Sequence, residues 1–312
     1  MQIYNFFLKL NAFGSFFTNS GSFFINEIYK KHRIFAADKG NNSFLRKNKN
    51  NNNKNINIET NNIMAEEKKF RVESDLLGEL KVPAGALYGV QTQRGINNYH
   101  ISRKTMCNYP DFIIAIAYVK LAAIETNHTL GVINDEISGA ISQACREIIE
   151  GKWHENFPID MVQGGAGTSV NMNANEVITN RALEIMGHEK ADYQFCSPND
   201  HCNCGQSTND VYPTSIRLAL IRMNTHLVGA LTGLISAFRY KADEYSDVIK
   251  MGRTQLQDAV PMSFGQEFNA YANNLEEEIL NLERNVKLLH EINMGGTAIG
   301  TGLNAVPGFA KL

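Results

Sequence analysis

The sequence contains no run approaching the roughly 18 consecutive apolar residues that a membrane-spanning helix requires. Nor does it carry a strong charge of one sign. Its 30 Lys and Arg stand against 32 Asp and Glu, which removes the usual electrostatic argument for nucleic acid. Cysteine is scarce and odd in number. Five in 312 residues do not make a disulfide scaffold, and a reducing, cytoplasmic compartment is the simpler expectation. What is present is 43% hydrophobic residues in a chain long enough for one large domain or two ordinary ones. The expectation is a soluble globular protein whose partners are neither nucleic acid nor membrane.

The average conceals two unlike stretches. Residues 1–63 hold 15 asparagines and 9 of the 17 phenylalanines, with seven Lys and two Arg against three acids, a net charge of +6. Residues 64–312 hold 21 bases and 29 acids, a net charge of −8. The Asn/Lys run from Asn48 to Asn57 is of low complexity and has no apolar face to bury. The apolar patches Phe6-Phe7-Leu8 and Phe16-Phe17 are too short, and too broken by Lys9 and Asn11, for a secretory signal. Arg33 and Arg46 alone are too little arginine for a transit peptide. Residues 1–63 therefore read as a disordered extension, translated upstream of a true start at Met64.

From Met64 onward the pattern is helical. Apolar residues at Ile216, Leu220, Met223, Leu227, Leu231, Leu234 and Phe238 trace one stripe of a helix expected to begin after Tyr212-Pro213-Thr214. A second stripe runs through Phe264, Phe268, Tyr271, Leu275, Leu282, Val286 and Leu289. Each lasts about 30 residues, or about 45 Å. Helices of that length imply an extended bundle or an intersubunit coil. A short hairpin is expected near residues 80–88, broken by Pro83 and Gly85, and no βαβ rhythm occurs. The fold class is mainly α.

Three polar turns stand out. Gln163-Gly164-Gly165-Ala166-Gly167-Thr168-Ser169 precedes a helix expected near Asn171, and its glycines free backbone amides to face an anion. Its spacing is neither that of a phosphate loop nor that of a dinucleotide fingerprint. By itself it reads as a flexible loop with a capping residue. Gln206-Ser207-Thr208-Asn209-Asp210 precedes the first long helix and carries more good N-cap residues than one cap requires. Gly252-Arg253-Thr254-Gln255-Leu256-Gln257-Asp258 forms a polar link between the long helices, with Pro261 suited to the first turn of the second. Hydroxyls and amides at three helix ends suit a small dicarboxylate.

Two other features carry less. Cys196, His201, Cys202 and Cys204 resemble metal-ligand spacing, but no second pair follows as zinc sites usually require. His226 and His290 fall in helical stretches and read as packing or surface histidines.

The segments Gly164-Gly165-Ala166-Gly167-Thr168-Ser169-Val170-Asn171-Met172-Asn173, Gln206-Ser207-Thr208-Asn209-Asp210 and Gly252-Arg253-Thr254-Gln255-Leu256-Gln257-Asp258-Ala259 closely resemble the aspartase/fumarase superfamily. Upstream, Asp75-Leu76-Leu77-Gly78 and Tyr88-Gly89-Val90-Gln91-Thr92-Gln93-Arg94 look like its opening. The resemblance covers residues 68–304. Thr168-Ser169-Val170, Thr208 and Gln255 favour the aspartase branch over class II fumarases, which remain the alternative. Ser197 stands where fumarases carry a histidine of an accessory carboxylate site.

The resemblance implies an N-terminal lyase domain over residues 64–206, then at 207–312 the first part of a long-helix central bundle. It implies proton abstraction from L-aspartate, an aci-carboxylate intermediate, and loss of ammonia to give fumarate. Thr168, Ser207, Thr208, Asn209, Thr254, Gln255 and Arg94 would bind the substrate. No cofactor would be required, a divalent cation being an activator in some relatives, and the assembly would be a homotetramer. The superfamily's base is a serine in a Gly-Ser-Ser-x-Met-Pro-x-Lys-x-Asn loop, which these 312 residues do not contain. The expectation is a C-terminally truncated lyase, inactive alone, or a non-catalytic fragment.

Overall fold

The computed structural model describes residues 70–312, so the extension at 1–63 and the start at Met64 lie outside the described residues. A hairpin opens them. Strands β1 (Phe70–Asp75) and β2 (Gly78–Pro83) pair antiparallel, with Asp75 opposite Gly78. The carboxylate of Asp75 accepts the Leu77 N–H at 2.9 Å and Gly78 takes a φ of +106°, a turn that few other residues could close. The hairpin thus spans 70–83 and overlaps the expected residues 80–88 only in its second strand, which Pro83 ends.

Helix α1 (Val90–Asn98) follows, then α2 (Pro110–Thr129), α3 (Asp135–Ile149) and α4 (Thr168–Ile185). Pro110 starts α2, where its missing N–H costs nothing, and Asn134 caps α3 by accepting the Ile137 N–H. Helix α3 packs between α2 and α4, and α1 lies along α4. Ile113, Ile116, Ile124, Ile141, Ile148, Ile178 and Leu183 are all fully buried here. Each such side chain contributes about 1.5–3 kcal/mol of transfer free energy.

The fifth helix, α5 (Thr208–Glu244), packs on α2 at its start and runs 37 residues. It begins before Pro213 rather than after Thr214. The ring of Pro213 leaves the carbonyl of Asn209 without its helical partner, and the side-chain amide of Asn293 donates to that oxygen at 2.9 Å. The polar link beyond α5 is a second hairpin, β3 (Ile249–Thr254) and β4 (Gln257–Ser263). Pro261 therefore sits in β4 opposite Met251, beside a register irregularity, and not in a helix. A strand without neighbours on its other side tolerates a proline there.

Helix α6 (Phe264–Leu288) starts from a capping box between Ser263 and Gln266 and returns along α5. Phe238 stacks on Phe268 with ring centroids 6.0 Å apart. Gly265 lets the backbones close, since a Cβ there would lie 2.5 Å from the Ala242 carbonyl oxygen. His226 does lie on α5, whereas His290 falls just past the end of α6.

One reading of the composition needs correction. Although no long unbroken apolar run exists, α5 holds an 18-residue window of mean hydropathy 1.4, long and apolar enough by length and composition to cross a membrane. Only 17% of that window is buried. The same surface is what a bundle helix offers to neighbouring helices.

Candidate active site

Two helix N-termini converge. Gly167 caps α4 with φ +92°, and a Cβ on it would fall 2.3 Å from the Tyr212 ring of α5, so only glycine permits this approach. Because Gly167 can take that conformation, α4 begins at Thr168, three residues before the expected Asn171. Asn171 then donates its side-chain amide to the Thr208 hydroxyl oxygen at 3.1 Å, joining the first turns of α4 and α5. Thr168 and Thr208 are the first residues of their helices, so both lie where the helix dipole favours an anion.

The turn before α5 is a capping box. The Ser207 hydroxyl oxygen accepts the Asn209 N–H at 3.1 Å, and the Ser207 N–H donates to Asp210 at 2.8 Å. An oxygen already accepting from behind keeps its own proton to donate, which suits Ser207 and Thr208 to a carboxylate. Asn209 donates its side-chain amide to the Ala298 carbonyl at 2.7 Å. The Thr168 hydroxyl donates to the Gly165 carbonyl at 2.7 Å. Ser207, Thr208 and Asn209 thus share the turn that enters α5, and the Asn171 amide ties that turn to the first turn of α4, which Thr168 opens.

The other candidates stand elsewhere. Arg94 forks onto Asp75 through bonds of 2.9 and 2.7 Å and also reaches the Gly78 carbonyl, so it holds the first hairpin's turn. That guanidinium keeps the Asp75 carboxyl below its ordinary range. Its helix nevertheless adjoins the start of α4, with Gly95 facing Ser169. Thr254 and Gln255 lie exposed at the tip of the β3–β4 hairpin, Gln255 at φ +55°. Helix α5 rises about 55 Å, and residues 245–254, even fully extended back along it, recover at most about 34 Å. At least about 20 Å therefore separates them from Thr208 within one chain.

The sequence reading missed what stands behind the turn. Lys120 is fully buried on α2 and donates to Asn203 and Gln206, each at 2.9 Å. Burial lowers its pKa to about 8. Its signal was a lone cation inside the apolar run Phe112–Ile124. The segment after α6 was also missed: the Thr297 N–H donates to the buried Asp210 carboxylate at 3.0 Å, and Thr297 takes a φ of +56°, unusual for a β-branched residue. Its neighbours Gly295, Gly296 and Gly300 were the available clue.

Ser197 caps a short π-helical turn at Pro198–Cys202, and its N–H donates to His201 Nδ1 at 2.8 Å. Cys196 and Cys202 are buried and all five cysteines are free. Among the described residues, no group of three or more His, Cys, Asp or Glu is arranged to hold a metal ion. A pocket of about 420 Å³ lined by His128, Asp135 and His201 contains none of the seven predicted substrate residues.

Long antiparallel helices with hydroxyl- and amide-rich turns at their ends make up a lyase bundle, and the chain belongs to the lyase family, whose profile matches residues 78–312. It is 53% identical over 250 residues to an aspartate ammonia-lyase of Pseudomonas canavaninivorans, covering 80% of this chain and 53% of the relative. An aspartate ammonia-lyase of Escherichia coli strain K12 is 50% identical over 243 residues, covering 78% and 51%. Among solved structures, a fumarate lyase:delta crystallin from Brucella melitensis matches with a TM-score of 0.75 and 48% identity over 78% of this chain and 53% of that one. A class II fumarase of Schistosoma mansoni matches with a TM-score of 0.69 and 39% identity, covering 78% and 51%. The chain thus spans about half the length of the curated relatives it matches. Its mainly α fold is that of the aspartase/fumarase superfamily.

Proposed function

We propose that this chain contributes two of the three segments of an aspartate ammonia-lyase active site. The observation that carries the reading is the meeting of the α4 and α5 N-termini around Thr168, Ser207, Thr208 and Asn209. Ser207 and Thr208 are neutral hydroxyl donors at the start of α5, beside the N-terminus of α4, in a chain about half identical to aspartate ammonia-lyases. Removing the proton beside one carboxylate of L-aspartate generates a doubly charged aci-carboxylate. Fixed donors aimed at that group stabilise it more in the transition state than in the substrate, and expulsion of ammonia then yields fumarate.

Thr254 and Gln255 stand too far from Thr208 to serve the same substrate within one chain, so a second copy supplies them. The family resemblance implies a homotetramer for that assembly, and the exposed apolar stripe of α5 is where its helices would meet. The base is the serine of a Gly-Ser-Ser loop in the part of the relatives' length that this chain does not span. Such chemistry needs no nucleotide or redox cofactor, and a divalent cation would act only as an activator. The scarcity and odd number of cysteines support a cytoplasmic setting.

The second reading, class II fumarase, is favoured by the likeness to the Schistosoma mansoni enzyme. Gln255 and Thr208 favour the aspartase reading over it. The test follows fumarate absorbance from L-aspartate and from L-malate at equal concentration in the complete enzyme. Faster turnover of malate would overturn the assignment.

A further inference from the structure

We infer that Lys120 is a positioning residue for the carboxylate-binding turn, a buried donor-only cation that dictates which way the side chains behind Thr208 point. The inference rests on the lyase reading above and names a part of that site which no motif marks. An ammonium has three N–H donors and no acceptor. The amides of Asn203 and Gln206, each 2.9 Å from Lys120 Nζ, must therefore turn their oxygens toward it. The same Asn203 oxygen receives the Asn171 amide at 3.2 Å, and that amide also donates to the Thr208 hydroxyl oxygen at 3.1 Å. Every link points one way. Thr208 is left accepting from the interior, with its single proton directed outward to a ligand oxygen. Gln206, its oxygen engaged by Lys120, gives its amide N–H groups to the carbonyls of Cys202 and Cys204 at 3.0 and 3.3 Å, which clamps the loop that enters Ser207.

A residue needed only to fill this space would be apolar, as Ile113, Ile116 and Ile124 on the same helix are. Burying an ammonium carries a desolvation penalty that methionine, of similar length, would avoid. Lys120 is fully buried and its nearest partners are neutral amides, with Asp210 acting on it only through its charge. What the ammonium supplies and methionine cannot is the direction of the relay.

The test is a double-mutant cycle in the complete, assembled lyase, with fumarate as the probe in calorimetry. Lys120→Met and Thr208→Val should each weaken fumarate binding tenfold or more. In the Thr208→Val background, Lys120→Met should add less than twofold, because the hydroxyl it orients is gone. An undiminished tenfold effect in that background, or fumarate binding by Lys120→Met within twofold of the parent, would overturn the inference. Where circular dichroism shows Lys120→Met unfolded, Asn171→Leu takes its place, since it cuts the relay but keeps the ammonium, and the same coupling to Thr208 is expected. The lyase reading fails separately: a parent enzyme that binds fumarate yet releases no ammonia from L-aspartate refutes that reading, while the cycle still decides Lys120.

Discussion

The two long parts of the described chain solve burial in opposite ways. In α4, Asn171, Asn173, Asn175, Glu176, Thr179 and Asn180 are all buried, although a sequence this polar reads as a surface helix. Along α5 and α6, Leu220, Met223, Leu227, Leu234 and Tyr271 are all more than 40% exposed, although their spacing reads as a core stripe. The polar helix is inside because its side chains find partners across the fold. Asn180 holds the Leu87 carbonyl, Asn173 the Asn156 carbonyl, and Glu176 the N–H groups of Gly89, Gln91 and Thr92 at the start of α1. The apolar stripe is outside because nothing among the described residues covers it. The region of α1–α4 therefore buries its own surfaces, whereas α5 and α6 leave theirs open.

The largest expected effect breaks that comparison at its weak side. Residues 1–312 alone should show no ammonia-lyase activity with L-aspartate and should associate through the α5 stripe. Proton abstraction needs a base within hydrogen-bond reach of the substrate, and none of His201, His226 and His290 matches a base position of the superfamily. Adding a separate polypeptide that bears the Gly-Ser-Ser loop should bring activity. Turnover by the isolated chain sinks the idea.

The next contrast is one of stability. Ile141→Ala or Ile178→Ala, both at fully buried positions, should cost about 2–5 kcal/mol in urea unfolding of the isolated chain. Leu227→Ala, at a position 48% exposed, should stay within about 0.5 kcal/mol there. Its effect should grow in the proposed assembly, which would cover the stripe. Equal costs in the isolated chain would show that the arm is buried without partners.

A smaller effect appears with acid. Glu147 is held at about 2, first by Arg181, with Trp153 adding a bond, well below the ordinary carboxylate value of 4.5. A carboxyl depressed in the folded state contributes stability that is present above 4.5 and is lost as pH falls toward 2. Glu147→Gln should therefore flatten the acid limb of the stability curve between those values and leave the neutral region less stable. Glu147 is 13% exposed at its side chain, so solvent screens part of the effect. An unchanged acid limb in thermal unfolding against pH would remove Glu147 from the account.

Much of this was legible in local pattern. The α5 and α6 stripes, the Ser207 turn and the glycine-rich approach to α4 are periodic or capping signals carried by neighbouring residues. The errors share one physical cause. The β3–β4 hairpin was read as a helix link because Pro261 suits a first turn, whereas cross-strand pairing with Met251 decided its conformation. The start of α5 was read as following Pro213, because nothing local announces that Asn293, 84 residues onward, takes up the carbonyl of Asn209. The Lys120 relay and the Arg94–Asp75 fork likewise join positions distant in sequence. Burial of polar groups by long-range partners leaves no period to find.

The smallest expected effect lies at the N-terminus. Deleting residues 1–63 should leave the thermal unfolding of the folded regions unchanged, because their 15 asparagines and scattered phenylalanines present no periodic apolar face. The comparison above shows what packing a polar segment demands. The buried amides of Asn171, Asn173 and Asn180 each have a specific oxygen opposite them, and an Asn/Lys run such as Asn48 to Asn57 would need as many partners. Its net charge of +6 opposes the −8 of the remainder, so screened attraction is the one force that could hold it, and 0.5 M salt would weaken that. A fall of several degrees on deletion corresponds to about 1 kcal/mol for a domain of this size. Such a fall at low salt that disappears at high salt would assign the segment an electrostatic role. A fall that persists at both would show that it packs, and the two-region comparison would then need a third member.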